Sequence, residues 1–268
     1  MLIRLNERET DLPADMTLYG IRAMYKSDAD LVILNGAPVR EDAPIADGDR
    51  VVLIKRGEIP GRDELEALMA ARHTPGVHER VKNAVVGIAG AGGLGSNAAA
   101  ALARLGVGTI IIVDFDVVEP SNLNRQHYFV DQIGTPKVLA LADTLRRIHP
   151  YINVDPRIVR LDRTNCASLF AGADIVVEAF DGAEAKSMLV ESMAAVFPKR
   201  PVVMASGLAG HESGNSIITR KISDGMYVVG DLVNEARPGR GLMSPRVGIA
   251  AHHQANTVLR LLLGETAA

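Results

Sequence analysis

The sequence predicts an α/β fold: a mostly parallel sheet with helices on both faces, preceded by a small mixed domain. Three observations predict it. From Asn83 onward, short apolar runs alternate with helical periodicity, as in parallel strands joined by crossover helices. A glycine-rich turn, Gly90-Ala91-Gly92-Gly93-Leu94-Gly95, separates the first of those strands from an alanine-rich helix. Before residue 60 the pattern is different, with short strands and turn signals around a single short helix.

In the first part, residues 2–6 alternate apolar and polar side chains, and residues 11–15 turn the chain around Pro13. Thr17 can cap a helix over 18–25, with Leu18, Ile21 and Tyr25 on one face. Residues 31–34 form an apolar strand, Asn35-Gly36 and Asp47-Gly48-Asp49 are turns, and 50–55 is the final strand. This domain covers 1–58, a size marginal for independent folding. Residues 59–82 read as a connector. There Ile59-Pro60-Gly61 breaks the strand, 63–72 is helical with Leu65, Leu68 and Met69 on one side, and Pro75-Gly76 interrupts. In the second domain, 83–268, strands are expected at 84–89, 109–114, 153–159, 174–179 and 201–205. Helices are expected at 94–105, 136–148, 165–171 and 183–196. Residues 216–221 and 226–229 read as a late antiparallel pair. Residues 246–263 read as a closing helix, with Ala250, Ala251, Val258 and Leu262 available to pack.

Composition narrows the function classes. The 268 residues are 47% hydrophobic and 23% charged, enough to build a sizeable core. A formal net charge of −3 offers no basic field for nucleic acid or a membrane surface. No apolar run is long enough to cross a bilayer and no signal peptide follows Met1, so the expected location is the cytoplasm. A single cysteine, Cys166, rules out an intramolecular disulfide and a multi-cysteine zinc site, so no zinc is expected.

The glycine-rich turn matches G-x-G-x-x-G between a strand and a helix, the setting in which that motif binds phosphate in Rossmann-like sheets. Gly90 and Gly92 allow a tight turn and close backbone approach, Gly95 allows helix–strand packing, and the helix N-terminus favours an anion. There is no G-x-x-x-x-G-K-[ST]. Asp114 ends the next strand nineteen residues after Gly95, a spacing at which an acid holds ribose hydroxyls. These residues alone leave NAD and ATP open.

The polar segment after Asp114 carries Asp116, Ser121, Asn122, Asn124, Arg125 and Gln126. Arg125 offers a planar fork for phosphate oxygens. Lys137 lies in the first turn of a helix, where it opposes the dipole unless an anion is beside it. Both residues also read as solvated surface charges. Asp181 ends a strand on the same sheet edge as the glycine turn. It can hold Mg²⁺ against a triphosphate or cap the helix that follows.

In order and spacing, these residues resemble the ThiF/MoeB/HesA family of ubiquitin-activating-enzyme-like adenylyltransferases. The match runs over 90–95, Asp114-Phe115-Asp116, Ser121-Asn122-Leu123-Asn124-Arg125-Gln126, Gly134 with Lys137, and Asp181, and spans residues 60–268. The resemblance implies ATP binding by Gly90, Gly92, Gly93, Gly95, Asp114, Asp116, Ser121, Asn122, Arg125, Gln126 and Lys137. It implies catalytic roles for Arg125, Lys137 and Asp181, with Mg²⁺ at Asp181. It further implies a homodimer in which an arginine, best matched by Arg72, reaches the neighbouring site. The implied reaction is adenylation of the C-terminal glycine carboxylate of a ubiquitin-fold sulfur carrier, with a sulfur donor protein as a further partner.

The N-terminal part resembles ThiS, a β-grasp carrier, through Val32-Ile33-Leu34-Asn35-Gly36-Ala37-Pro38-Val39 and 47–53. A working carrier ends in a free Gly-Gly. Here Lys55-Arg56-Gly57-Glu58-Ile59-Pro60-Gly61 runs on without it, so the carrier substrate is expected to be a separate protein. The family's C-x-x-C zinc pairs are absent, and Cys166 lies outside the region where relatives place a sulfur-handling cysteine. His127, His252 and His253 have no metal-ligand spacing and read as structural. The first reading is therefore adenylation of a ThiS-like carrier in thiamin or related sulfur transfer. Rivals are adenylation like that of the tRNA threonylcarbamoyladenosine dehydratases, an NAD-dependent oxidoreductase, and a non-catalytic carrier-binding protein.

Overall fold

The computed structural model describes residues 1–267, which divide into two compact units, Met1–Thr74 and Pro75–Ala268. In the first unit the elements are β1 (Leu2–Leu5), β2 (Arg8–Asp11), α1 (Leu18–Tyr25), β3 (Leu31–Leu34), β4 (Ala37–Val39), β5 (Arg50–Ile54) and α2 (Arg62–Ala70). The sheet order is β2-β1-β5-β3-β4, with only β1 and β5 parallel. Ile3, Leu18, Ile21, Val32 and Val51 form its core, so the alternating strands and the apolar stripe of α1 meet as a β-grasp. Thr17 caps α1 through the Gly20 N–H at 3.2 Å. Two local expectations change. Asp11 ends β2 rather than opening the turn, and Ala37–Val39 is a strand. That strand holds Pro38 on a sheet edge, where a missing N–H is tolerated, and it returns across Asn35 and Gly36 at φ 51° and 87°.

The chain leaving β5 is fastened to its own domain. Lys55 pairs with Asp28 at 2.5 Å, the Arg56 N–H bonds to Asp30 at 2.8 Å, and Glu58 pairs with Lys26. One turn into α2, Glu64 accepts a 2.6 Å bond from Asn6.

The second unit contains α3 (Val77–Val81), β6 (Val85–Ala89), α4 (Gly93–Leu105), β7 (Thr109–Asp114), α5 (Lys137–Ile148), β8 (Asn153–Ile158), α6 (Cys166–Leu169), β9 (Ile175–Glu178), α7 (Ala183–Val196), β10 (Val202–Ala205), β11 (Ile218–Ser223), β12 (Met226–Gly230) and α8 (Ser244–Leu262). The sheet order is β11-β12-β10-β9-β6-β7-β8. Every pairing is parallel except β11 with β12. β6 and β9 are almost wholly buried, as expected of strands covered on both faces. Pro156 sits in β8, the edge strand, where it costs no ladder bond to a further neighbour.

Three differences from the sequence expectations have local causes. α3 restarts the helix after Gly76, which takes φ 82°. α6 is four residues, not seven, because Asp162 and Asn165 build a polar turn at its start and Gly172 follows it. The late hairpin does form, and β12 also pairs in parallel with β10, which extends the main sheet to seven strands.

β6 leads to β7 on one side, whereas its other neighbour, β9, comes later in the chain. That reversal opens a crevice at the carboxyl ends of β6 and β9, where open α/β sheets bind ligands. No helix among the described residues is long and apolar enough to cross a membrane.

Candidate functional site

The glycine turn starts at this crevice. Gly90 takes φ 100°, and a Cβ there would lie 2.9 Å from the Ala179 carbonyl oxygen. A Cβ on Gly95 would overlap the carbonyl oxygen of Gly90. Both glycines are therefore required by the fold. Gly92 differs: the nearest atom to its Cβ would be Gln126 Nε2 at 4.0 Å. Packing does not need Gly92; the room it leaves suits a ligand approaching the backbone. Gly92 is also the N-cap of α4 and has no side chain to cap it, so the first N–H groups of the helix stay available to an anion.

Side chains brace this loop. Asp114, the expected ribose acid, accepts from the Ala91 N–H at 2.6 Å and the Asp116 N–H at 2.8 Å. Each carboxylate oxygen keeps a lone pair for a hydroxyl. Ser96 donates to Gly92 O at 2.7 Å and accepts from the His127 N–H at 3.0 Å. Asn97 spans Gly93 O at 2.7 Å and Arg125 O at 3.1 Å. Tyr128, which sequence reasoning passed over, donates its buried hydroxyl to Ala91 O at 2.7 Å and lies 3.4 Å from Lys137 O. Burial, with Asp114 and Asp116 nearby, pushes its phenol far up, so it stays a donor.

The segment after β7 brings the predicted polar residues to the same place. Asn122 is buried and closes a short turn by accepting from the Glu119 N–H at 3.0 Å, while Ser121 stays exposed beside it. The Arg125 guanidinium is held by Asn124 Oδ1 at 2.8 Å and Ser121 O at 3.2 Å, and its aliphatic stem lies over Gly93. Arg125 Nε and Gln126 Oε1 are buried, and neither has a hydrogen-bond partner among the described residues. Orphaned donors and acceptors at a glycine loop fit a polar ligand that would satisfy them.

Lys137 is not a surface charge. Its side chain is 8% exposed, and its ammonium pairs with Asp116 at 2.8 Å. The Lys137 N–H donates to Asp116 O at 2.9 Å. Asp116 thus supplies the anion that a lysine at the start of a helix calls for. Half of the Asp116 side chain remains in solvent.

Across the crevice, Asp181 is exposed and has no hydrogen-bond partner among the described residues. It does not cap α7, because the N-cap is Gly182. No group of three potential metal ligands exists among the described residues. An exposed carboxylate such as Asp181 is the kind of group that, together with substrate phosphates, can hold Mg²⁺.

Sequence reasoning also missed Glu178. It is 0% exposed and accepts from Lys186 at 2.9 and 3.0 Å and from the Phe180 N–H at 2.7 Å. Burial pushes its carboxyl up, against the pull of the Lys186 charge. The available signal was a lone acid inside the apolar strand that ends at residue 178. Arg72 is exposed in a turn after α2, in the first unit.

Cys166 is fully buried, and its thiol is pushed up to about 11 by burial. A protonated, inaccessible thiol is a poor nucleophile. Cys166→Ala is expected to leave nucleotide binding unchanged, and the native protein should alkylate far more slowly than free cysteine at pH 7.5. Rapid alkylation with loss of function would give Cys166 a chemical role.

The ThiF family profile matches residues 66–268, about three quarters of the chain. The chain belongs to the ThiF family. A ThiS-like ubiquitin profile matches residues 1–57 ahead of the ThiF domain. The "Adenylyltransferase and sulfurtransferase UBA4" of Yarrowia lipolytica is 35% identical over 184 residues, 66% of this chain and 45% of that protein. The molybdopterin-synthase adenylyltransferase of Salmonella typhimurium is 34% identical over 190 residues, 69% of this chain and 75% of that one. The match thus spans under half of the yeast relative but most of the bacterial one. Among solved structures, the ThiF domain resembles Escherichia coli tRNA N6-threonylcarbamoyladenosine dehydratase, TcdA, in complex with ATP. The TM-score is 0.67 at 23% identity, covering 73% of this chain and 92% of that chain, a likeness of fold.

Proposed function

We propose that this ThiF-family chain binds Mg-ATP at the crevice between β6 and β9 and adenylates the C-terminal glycine carboxylate of a separate ThiS-like carrier, in thiamin synthesis or a related sulfur-transfer route. The observation that carries the proposal is the convergence at one glycine loop of a buried, paired Lys137 and an Arg125 whose Nε is orphaned. The names of the adenylyltransferase relatives support the same reading.

In the proposed reaction a carboxylate oxygen of the carrier attacks the α-phosphorus of ATP. The bond from that phosphorus to the bridging oxygen breaks, and the electron pair leaves with pyrophosphate. Two anions must meet, so positive charge at the site lowers the barrier. Arg125 and Lys137 supply it from fixed positions, and Asp114 orients the nucleoside through its free lone pairs. Mg²⁺, held by Asp181 and the phosphates, would neutralise the leaving-group charge. The proposal includes a cytoplasmic homodimer, with Arg72 as the residue reaching a neighbouring site.

The fused β-grasp unit is proposed not to be the substrate, because its chain leaves β5 through fastened ion pairs into α2 instead of ending in a free tail. The test is ATP–pyrophosphate exchange in the full chain with Mg-ATP and separate carriers ending in Gly-Gly. Exchange should require an added carrier. Exchange with no carrier present would show that a separate carrier is not the required acyl substrate, and no exchange with any carrier would sink the proposal. Tight NAD binding without ATP binding would turn the reading to an oxidoreductase.

A further inference from the structure

Asp181 has no hydrogen-bond partner among the described residues, so its position is inherited from the turn that carries it. Glu178, three residues earlier, anchors that turn. Its carboxylate accepts from the Phe180 N–H at 2.7 Å, and Lys186, one turn into α7, reaches back to it at 2.9 and 3.0 Å. Lys186 also donates to Ala205 O at 3.0 Å, and the Ala205 N–H lies 3.4 Å from the same carboxylate. From α8, Gln254 donates to Glu178 O at 2.8 Å and to Val203 O at 3.1 Å. The turn is thus tied on both sides, to β10 and α8 as well as to α7. It also touches the phosphate loop, since the Ala179 N–H bonds to Ala89 O at 2.9 Å and the Ala179 carbonyl packs on Gly90.

The Glu178 carboxylate is buried and Lys186 partly exposed, and an ion pair taken out of water contributes little net stability compared with apolar residues of the same size. What it does here is set geometry. We infer that Glu178 and Lys186 are positioning residues that hold the Asp181 turn in register with the phosphate loop, so that a divalent cation arriving with a nucleoside triphosphate meets the Asp181 carboxylate. The inference rests on the Mg-ATP part of the proposed function, but not on the identity of the carrier.

The test is calorimetric binding of ATP to the full chain, with and without Mg²⁺, read as the ratio of the two affinities. In Glu178→Gln/Lys186→Met, which removes both charges together, that ratio should fall at least fivefold at an unchanged melting temperature. Lys186→Arg, which keeps the charge, should stay within twofold of wild type. Should the double variant fail to fold, Glu178→Asp withdraws the carboxylate by one methylene and is read the same way, with a threefold or greater fall expected. A wild-type ratio in a folded double variant or in Glu178→Asp would overturn the inference while leaving the proposed reaction standing. Conversely, wild-type protein that binds Mg-ATP but shows no exchange with any carrier would overturn the reaction and leave the positioning role to the affinity ratio. Wild-type protein whose ATP affinity gains nothing from Mg²⁺ would overturn the inference.

Discussion

Gly95→Ala is expected to abolish nucleotide binding and to destabilise the ThiF domain by about 3 kcal/mol, the upper end of ordinary overpacking costs. The new Cβ would overlap the carbonyl oxygen of Gly90 and lie 3.1 Å from Ile88 Cγ2. The first of these neighbours is backbone and cannot rotate away. Relief would require α4 to move off β6, and α4 carries Ser96 and Asn97, which tie the loop to the 125–127 segment. A loss of that size lowers the melting temperature by roughly 6–12 °C in a domain of about 200 residues. Gly92→Ala is the informative control. Its Cβ has no neighbour nearer than 4.0 Å, so the melting temperature should stay near wild type while nucleotide affinity falls. Thermal unfolding and ATP titration of both variants decide the matter. If Gly95→Ala melts and binds like wild type, the packing argument is wrong. If Gly92→Ala binds ATP like wild type, the nucleotide does not approach the backbone there.

Lys137→Met is expected to lower carrier-dependent exchange by about 10²–10³-fold, the cost of removing one preorganised electrostatic contact to a developing anion. Methionine keeps most of the aliphatic stem that fills the buried site and removes only the charge. Asp116, whose side chain is half exposed, can recover hydration when its partner is lost. The stability change should therefore stay within about 1–2 kcal/mol. Lys137→Ala should lose the same activity and somewhat more stability, because it also leaves a void. Exchange kinetics beside thermal unfolding separate the two contributions. Retained exchange in a folded Lys137→Met would remove the residue from the mechanism and leave it as the partner of Asp116 alone.

Much of the site was legible in the sequence because it depends on local pattern. A strand, a G-x-G-x-x-G turn and a helix in succession place Gly90, Gly92 and Gly95 without further information, and the acid nineteen residues on places Asp114. The N-terminal strands and helix were similarly readable, since period-2 and period-3.6 patterns are properties of adjacent residues. The three-residue strand with Pro38 escaped, because so short an edge strand exists only through its pairing with β3.

Other residues were ambiguous until their neighbours in space were known. Lys137 could be a surface charge or a phosphate partner. Its burial against Asp116, twenty-one residues earlier, is a fact of packing. Asp181 could have capped a helix, and the backbone gave that place to Gly182. Tyr128 and Glu178 carried no local signal strong enough to single them out, because each acts through contacts with other elements. Tyr128 reaches the loop after β6, and Glu178 reaches α7 and β10.

By itself, then, the sequence determined the class of fold, the glycine-rich turn between strand and helix, and the presence of a single cysteine. Tertiary structure decided the strand order that brings the loops after β6 and β9 to one crevice. It decided the pairing of buried Lys137 with Asp116, and the contact of the buried Glu178 carboxylate with partly exposed Lys186. The physical reason is range. Propensity, periodicity and turn chemistry act over a few residues, whereas burial, charge pairing and the meeting of loops depend on residues that only the folded chain brings together.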